Sequence, residues 1–214
     1  DFFREKKIGK FRVYYLIYAS YLIVFLVALS DKKDQQATID KIKLLLPFYR
    51  QEIEKRFTKE KLNLPDNSQL LVAGSSRPGE EEIILGAYQR LRQKFPKLIL
   101  ILAPRHLKRL RSIEELLAQN QFSHVRKSQW VKEIGNNNVP QILILDSMGE
   151  LTEIYALADV AFVGGSLVPL GGHNPLEPAI YGVPVLFGPH IEHYRKAADL
   201  LIESQAASQV KNSQ

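Results

Sequence analysis

Residues 164–190, GGSLVPLGGHNPLEPAIYGVPVLFGPH, concentrate the groups that could hold a ligand. Glycines at 164, 165, 171 and 172 let backbone N–H groups come close to an anion. Asn174 reads as a helix cap and Pro175 as the first helical residue, so Leu176 and Glu177 fall in the opening turn. An anion on that helix start and ribose hydroxyls on the Glu177 carboxylate would together hold a nucleotide. A carboxylate complementing the helix dipole accounts for Glu177 but leaves the glycine cluster, entropically costly in a loop, without a reason.

Three other segments place polar groups where apolar runs end. AGSSRPGEEE, residues 73–82, offers Ser75 or Ser76 as a cap and three glutamates for the positive end of the next helix. It matches neither the P-loop nor the dinucleotide fingerprint, so a capped strand-to-helix turn explains it as well as a phosphate loop does. LILAPRH, residues 100–106, puts Pro104 and Arg105 at a strand end, where a guanidinium can grip phosphate or carboxylate. DSMGEL, residues 146–151, holds Met148 and Gly149 between Ser147 and Glu150, a pair with the spacing of a capping box. Gly149 weakens a first helical turn, which suggests a base or ribose packed against the backbone. His173 and Glu177 are four apart and His190 and His193 three apart, spacings that can chelate, but the second pair lacks a third ligand in matching context and no metal site is expected. No Ser-His-Asp order or strained nucleophile elbow stands out.

The elements that must position these groups follow from the apolar pattern. Residues 70–74, 98–104, 141–146, 160–165 and 183–188 are short, nearly continuous apolar runs, the mark of strands buried on both faces. Between and after them, residues 79–95, 106–120, 148–158, 175–181 and 190–204 read as helices. Alternating strand and helix predicts a doubly wound parallel sheet with right-handed crossovers. Every candidate motif then falls at the carboxyl ends of strands, where such sheets bind ligands.

The 45% apolar content supports a real core, and the absence of cysteine excludes disulfides, Cys-based metal sites and thiol nucleophiles. Residues 1–64 hold 14 Lys and Arg against 8 Asp and Glu, while residues 65–214 balance at 15 of each. The whole net charge of +6 therefore lies beside one long apolar run, VYYLIYASYLIVFLVAL, residues 13–29. Its length is at the short limit for a spanning helix, its first half is rich in tyrosine, and basic residues precede it. This pattern predicts contact with a membrane surface and no nucleic-acid partner. Residues 1–30 are thus expected to be a basic-apolar membrane-associating segment, 31–68 a helical linker broken near Pro47, and 69–214 a nucleotide-binding domain.

From about Leu70 onward the chain resembles the C-terminal domain of bacterial 3-deoxy-D-manno-octulosonic acid (Kdo) transferases. The resemblance is carried by AGSSRPGEEE, LILAPRH, LDSMGEL with TEIYALADVAFVGGSL, and the GGHNPLEP run, and covers about two-thirds of the chain. It implies an α/β fold: a Rossmann-like parallel sheet, the C-terminal half of a GT-B glycosyltransferase, here preceded by a helical N-terminal segment. It further implies that CMP-Kdo is the donor substrate, with no separate cofactor. A lipid A precursor is the implied acceptor, at the cytoplasmic face of the inner membrane in lipopolysaccharide biosynthesis. The CMP contacts implied by the matching motifs are Pro104 and Arg105, then Met148, Gly149 and Glu150, then Asn174, Pro175, Leu176 and Glu177. The family's catalytic Glu belongs to an acceptor-binding half with no counterpart in the 64 residues that precede the match, and its Gly-Asn-Leu-Lys segment is missing. No catalytic residue is therefore assigned. The expectation is a donor half, truncated beyond about Val210, with little or no transfer activity alone. A membrane-tethered, non-catalytic nucleotide-binding module is the alternative.

Overall fold

Tyr, Ile, Val and Phe crowd residues 11–30, and that composition resolves into strands instead of the expected helix. The structure is a computed structural model, and it describes residues 2–8, 11–18, 23–30, 37, 59–130 and 139–211. In the first of two compact units, Asp1–Glu54, β1 (Phe2–Ile8), β2 (Phe11–Tyr18) and β3 (Ile23–Ser30) form an antiparallel meander in the order β1-β2-β3. A continuous apolar run has no periodicity that separates helix from strand, and β-branched and aromatic residues favour the strand. The helical reading of residues 13–29 is therefore corrected. No helix among the described residues is long and apolar enough to cross a membrane. The helical linker expected over residues 31–68 lies outside the described residues as far as residue 58, apart from residue 37.

The second unit, Lys55–Gln214, contains the doubly wound sheet. Its elements run β4 (Gln69–Ser76), α1 (Glu80–Lys94), β5 (Leu98–Pro104), α2 (Leu110–Gln119), β6 (His124–Arg126) and α3 (Lys127–Trp130). There follow β7 (Ile142–Ile144), α4 (Leu151–Tyr155), β8 (Val160–Val163), α5 (Leu176–Ala179), β9 (Val185–Phe187), α6 (Arg195–Glu203) and β10 (Ala207–Gln209). The seven strands are ordered β10-β9-β8-β4-β5-β7-β6, and every neighbouring pair is parallel. The order reverses at β4, with β5 added on one side and β8 on the other, so the crevice for a ligand opens above these central strands.

Burial on both faces explains the apolar runs. Leu70 and Val72 of β4 pack with Ile99, Ile101, Tyr155 and Trp130 on one face, whereas Leu71 and Ala73 pack with Leu100, Ile84, Tyr88 and Leu117 on the other. Alternation along each strand sends successive side chains to opposite layers. Helices α1 and α2 thus cover one face and α4 the other, while Ala198 and Leu201 of α6 close the β9 side with Phe187 and Val185. Strands β6 and β10 had no sequence signal, because each is a three-residue edge strand without an apolar run.

Candidate functional site

The glycine loop after β8 does not present its N–H groups to solvent. They are taken by the chain's own Glu80, whose carboxylate accepts hydrogen bonds from the backbone N–H of Gly165 (2.7 Å), Ser166 (2.9 Å) and Leu167 (2.8 Å). A fourth comes from the N–H of Arg77 at 2.8 Å, and Glu80 is fully buried. A left-handed Gly165, at φ 68°, is part of this cradle. The expected anion site at residues 164–166 is therefore filled from within, and the acidic run after β4 is accounted for structurally. Glu81 is equally buried and pairs bidentately with Arg109 at 2.8 and 3.0 Å, while accepting a hydrogen bond from Ser76 Oγ. Neither Ser75 nor Ser76 caps α1: Gly79 holds that position with no side-chain cap. Ser75 instead adopts φ 57° at the bulge that ends β4.

These locked loops leave one hollow of about 290 Å³ over the carboxyl ends of β4, β5 and β7 and beside the loop after β8. Pro104 and Arg105 enter it from β5, Met148 and Gly149 from the loop after β7, and Asn174 and Glu177 from the start of α5. Six of the nine motif residues thus share one cavity. The other three do not line it. Glu150 turns to Lys127, with Nζ–Oε1 2.5 Å, while Pro175 and Leu176 form the backbone of the α5 start. Asn174 Oδ1 accepts the Leu176 N–H at 3.1 Å, so the expected side-chain cap is present there.

The capping box expected at residues 147–150 is absent. Glu150 pairs with Lys127, and Ser147, a residue of the cavity lining, has its Oγ buried without a hydrogen-bond partner. A buried unpaired hydroxyl is costly unless something outside the fold satisfies it. Gly149 precedes α4 and stands at φ 87° with open space around a built Cβ. Its backbone angle, not close packing by the protein, accounts for that glycine. Sequence reasoning missed Ser75, Ser147, His173 and Tyr194 as cavity residues: the two serines were read as caps, His173 was weighed only as half of a metal pair, and Tyr194 belongs to no motif. Met148 is 63% exposed at the cavity rim, which fits a side chain held for an external partner better than one held for the core.

Cationic groups dominate the cavity's electrostatics. Burial, together with the charges of Arg77, Arg105, His106 and His193, pulls the His173 imidazole down to about 4, so it is neutral near pH 7. Tyr155, whose hydroxyl a Cβ on Gly74 would strike, has its pKa raised by burial and then by the Glu177 carboxylate. It remains a neutral group near the one carboxylate of the cavity.

A Ser147→Ala variant follows from this geometry. Losing a hydroxyl with no partner should leave stability unchanged or raise it by up to about 1 kcal/mol, where losing a paired hydroxyl lowers it. Urea unfolding measures that sign; a clear loss of stability would mean that the hydroxyl is satisfied within the fold.

A doubly wound parallel sheet with a hollow above its carboxyl edge defines a Rossmann-like domain of the kind that binds nucleotides. The scan against protein-family models returned no match. Direct relatives are clear. The chain is 42% identical over 142 residues to a 3-deoxy-D-manno-octulosonic acid transferase of Haemophilus influenzae, covering 66% of this chain and 33% of that protein. It is 37% identical over 190 residues to a bifunctional glycosyltransferase/methyltransferase of Fusobacterium nucleatum, covering 89% of this chain and 28% of that one. Among solved structures it matches the C-terminal CMP-Kdo binding domain of WaaA from Acinetobacter baumannii, with TM-score 0.66 and 31% identity over 79% of this chain and 84% of that one. The chain belongs to the 3-deoxy-D-manno-octulosonic acid transferase family, and its sheet domain corresponds to that family's C-terminal domain. It spans about a third of the length of the curated relatives it matches.

Proposed function

We propose that this chain binds CMP-Kdo and serves as the donor side of Kdo transfer to a lipid A precursor. The observation that carries the reading is the convergence of Arg105, Gly149, Asn174 and Glu177 on one hollow at the carboxyl edge of the sheet. The names of its relatives, a Kdo transferase and a CMP-Kdo binding domain, support the choice of ligand. In this reading Glu177 accepts hydrogen bonds from the ribose hydroxyls, Arg105 faces the phosphate, and the 147–149 turn faces the base or ribose. Transfer is then an inverting displacement. The acceptor hydroxyl, deprotonated by a base from the acceptor side of the cleft, attacks the anomeric carbon, and the departing CMP phosphate is stabilised by Arg105.

Calorimetric titration of the full chain with CMP, UDP and GDP tests the ligand. CMP is expected to bind at least tenfold more tightly than the others, and equal affinities would defeat the assignment. The same division of labour leaves the chain alone able to bind donor yet without measurable transfer to acceptor, because a donor site cannot by itself orient the attacking hydroxyl. Multiple turnovers by the isolated chain would overturn that part.

The setting we propose is the cytoplasmic face of the inner membrane. Its support is the basic excess of residues 1–64 beside the apolar sequence of β2 and β3, a combination attracted to anionic lipid surfaces. Co-flotation with vesicles containing anionic phospholipid, lost at high salt, is the expected behaviour; no association at low salt would refute it.

A further inference from the structure

Arg77 has no role in the donor site as described, yet its side chain is held in an unusual way. Its Nη1 donates to His106 Nε2 at 2.8 Å, while its Nε is buried with no acceptor. A hydrogen bond to a ring nitrogen brings no opposite charge to the guanidinium. Among the described residues neither Arg77 nor Arg105 has a carboxylate within ion-pair distance, although Arg109, Arg111, Arg126 and Lys127 all do. The two carboxylates nearest in sequence cannot neutralise it by pairing with its side chain, since Glu80 is occupied by four backbone N–H groups and Glu81 by Arg109 and Ser76.

The backbone sets Arg77 beside Arg105. Arg77 follows Ser76 at the end of β4, and the Arg105 N–H donates to the Ser76 carbonyl at 3.1 Å across the β4–β5 pair. The two arginines therefore leave neighbouring parallel strands, whose axes lie about 4.8 Å apart. His173, a cavity residue, feels both charges. Two cations that leave neighbouring strands and both act on His173 are stabilised by a ligand carrying two adjacent negative groups, with Arg105 in the lining of the hollow and Arg77 in the turn that follows β4.

We infer that Arg77, oriented by His106, forms a second anion subsite next to Arg105, and that it takes the carboxylate of the donor sugar while Arg105 takes the phosphate. The inference rests on the donor-binding reading above. Its chemistry follows from the ligand: an ulosonic acid has its carboxylate bonded to the same anomeric carbon that bears the phosphate oxygen. The two negative groups of a CMP-ulosonate are thus neighbours, as the two arginines are. A guanidinium suits the carboxylate because its charge-assisted N–H bonds are stronger than neutral ones. Arg77 is in this view a specificity residue, separating the activated acid sugar from plain CMP.

The test compares CMP with CMP-Kdo, by calorimetry, on the full chain and its Arg77→Gln and His106→Asn variants. Arg77→Gln is expected to lower CMP-Kdo affinity at least tenfold and CMP affinity less than twofold, with His106→Asn changing both in the same sense by less. Equal losses for both ligands would place Arg77 on the phosphate and overturn the inference, as would no loss for either. Failure of the unaltered chain to bind CMP would instead overturn the donor-site reading, and the subsite with it. Circular dichroism checks folding, and if Arg77→Gln does not fold, the exposed His106→Asn change is read by the same criterion.

Discussion

A Glu80→Ala variant is expected to be the most damaging single change in the domain, losing about 4 kcal/mol or more of stability. Four backbone N–H groups, from Arg77, Gly165, Ser166 and Leu167, end on this one buried carboxylate. Each buried donor left without an acceptor costs about 1–3 kcal/mol, and a whole domain has only about 5–15 kcal/mol to lose. The damage would also reach the site, because the loop that Glu80 holds leads directly to His173 and Asn174. Glu80→Gln keeps one acceptor oxygen but turns an NH₂ toward N–H donors, so it should fall between the native chain and the Ala variant. Glu82, exposed in the first turn of α1, provides the control: its loss should cost less than about 0.5 kcal/mol. Urea unfolding of the three variants decides the matter, and a native-like midpoint for Glu80→Ala would show that the loop finds other acceptors.

Glu177→Ala is expected to have the largest effect on binding, weakening CMP about tenfold to a hundredfold. That range corresponds to losing about 1–3 kcal/mol from hydrogen bonds to a charged group. Glu177 is exposed in the cavity wall and its side chain makes no hydrogen bond or ion pair among the described residues, so the unfolding midpoint should stay where it is. The ribose assignment makes a sharper demand. 2′-Deoxy-CMP lacks one of the two hydroxyls, so the Glu177→Ala change should hurt its binding markedly less than it hurts CMP. Equal losses for the two nucleotides would move Glu177 off the ribose, and an unchanged CMP affinity would leave it a helix-end carboxylate.

The sheet was legible in the order of residues because its strands are buried on both faces. LLVA, LILILA and ILIL are apolar throughout, and their short length and regular alternation with helical stretches marked them as buried strands. The meeting of residues 104–105, 148–149, 174 and 177 around one hollow was foreshadowed by the strand pattern, since parallel strands bring their carboxyl ends to one rim whatever the connections do. The apolar run of residues 13–29 failed the same kind of reading, because uniform hydrophobicity carries no period and the choice of strand over helix depends on pairing partners.

Partner choice among polar groups was decided in three dimensions. Gly165 and Glu80 are 85 residues apart, and nothing local announces that the carboxylate will fill the glycine cradle before any phosphate can. Ser147 and Glu150 have the spacing of a capping box, yet Glu150 pairs with Lys127 and the box does not form. Hydrogen-bond donors and carboxylates have many acceptable partners along a chain, so their pairing is settled by which loops the packed sheet brings within reach. Apolar residues need only an interior, and for that the linear pattern was enough.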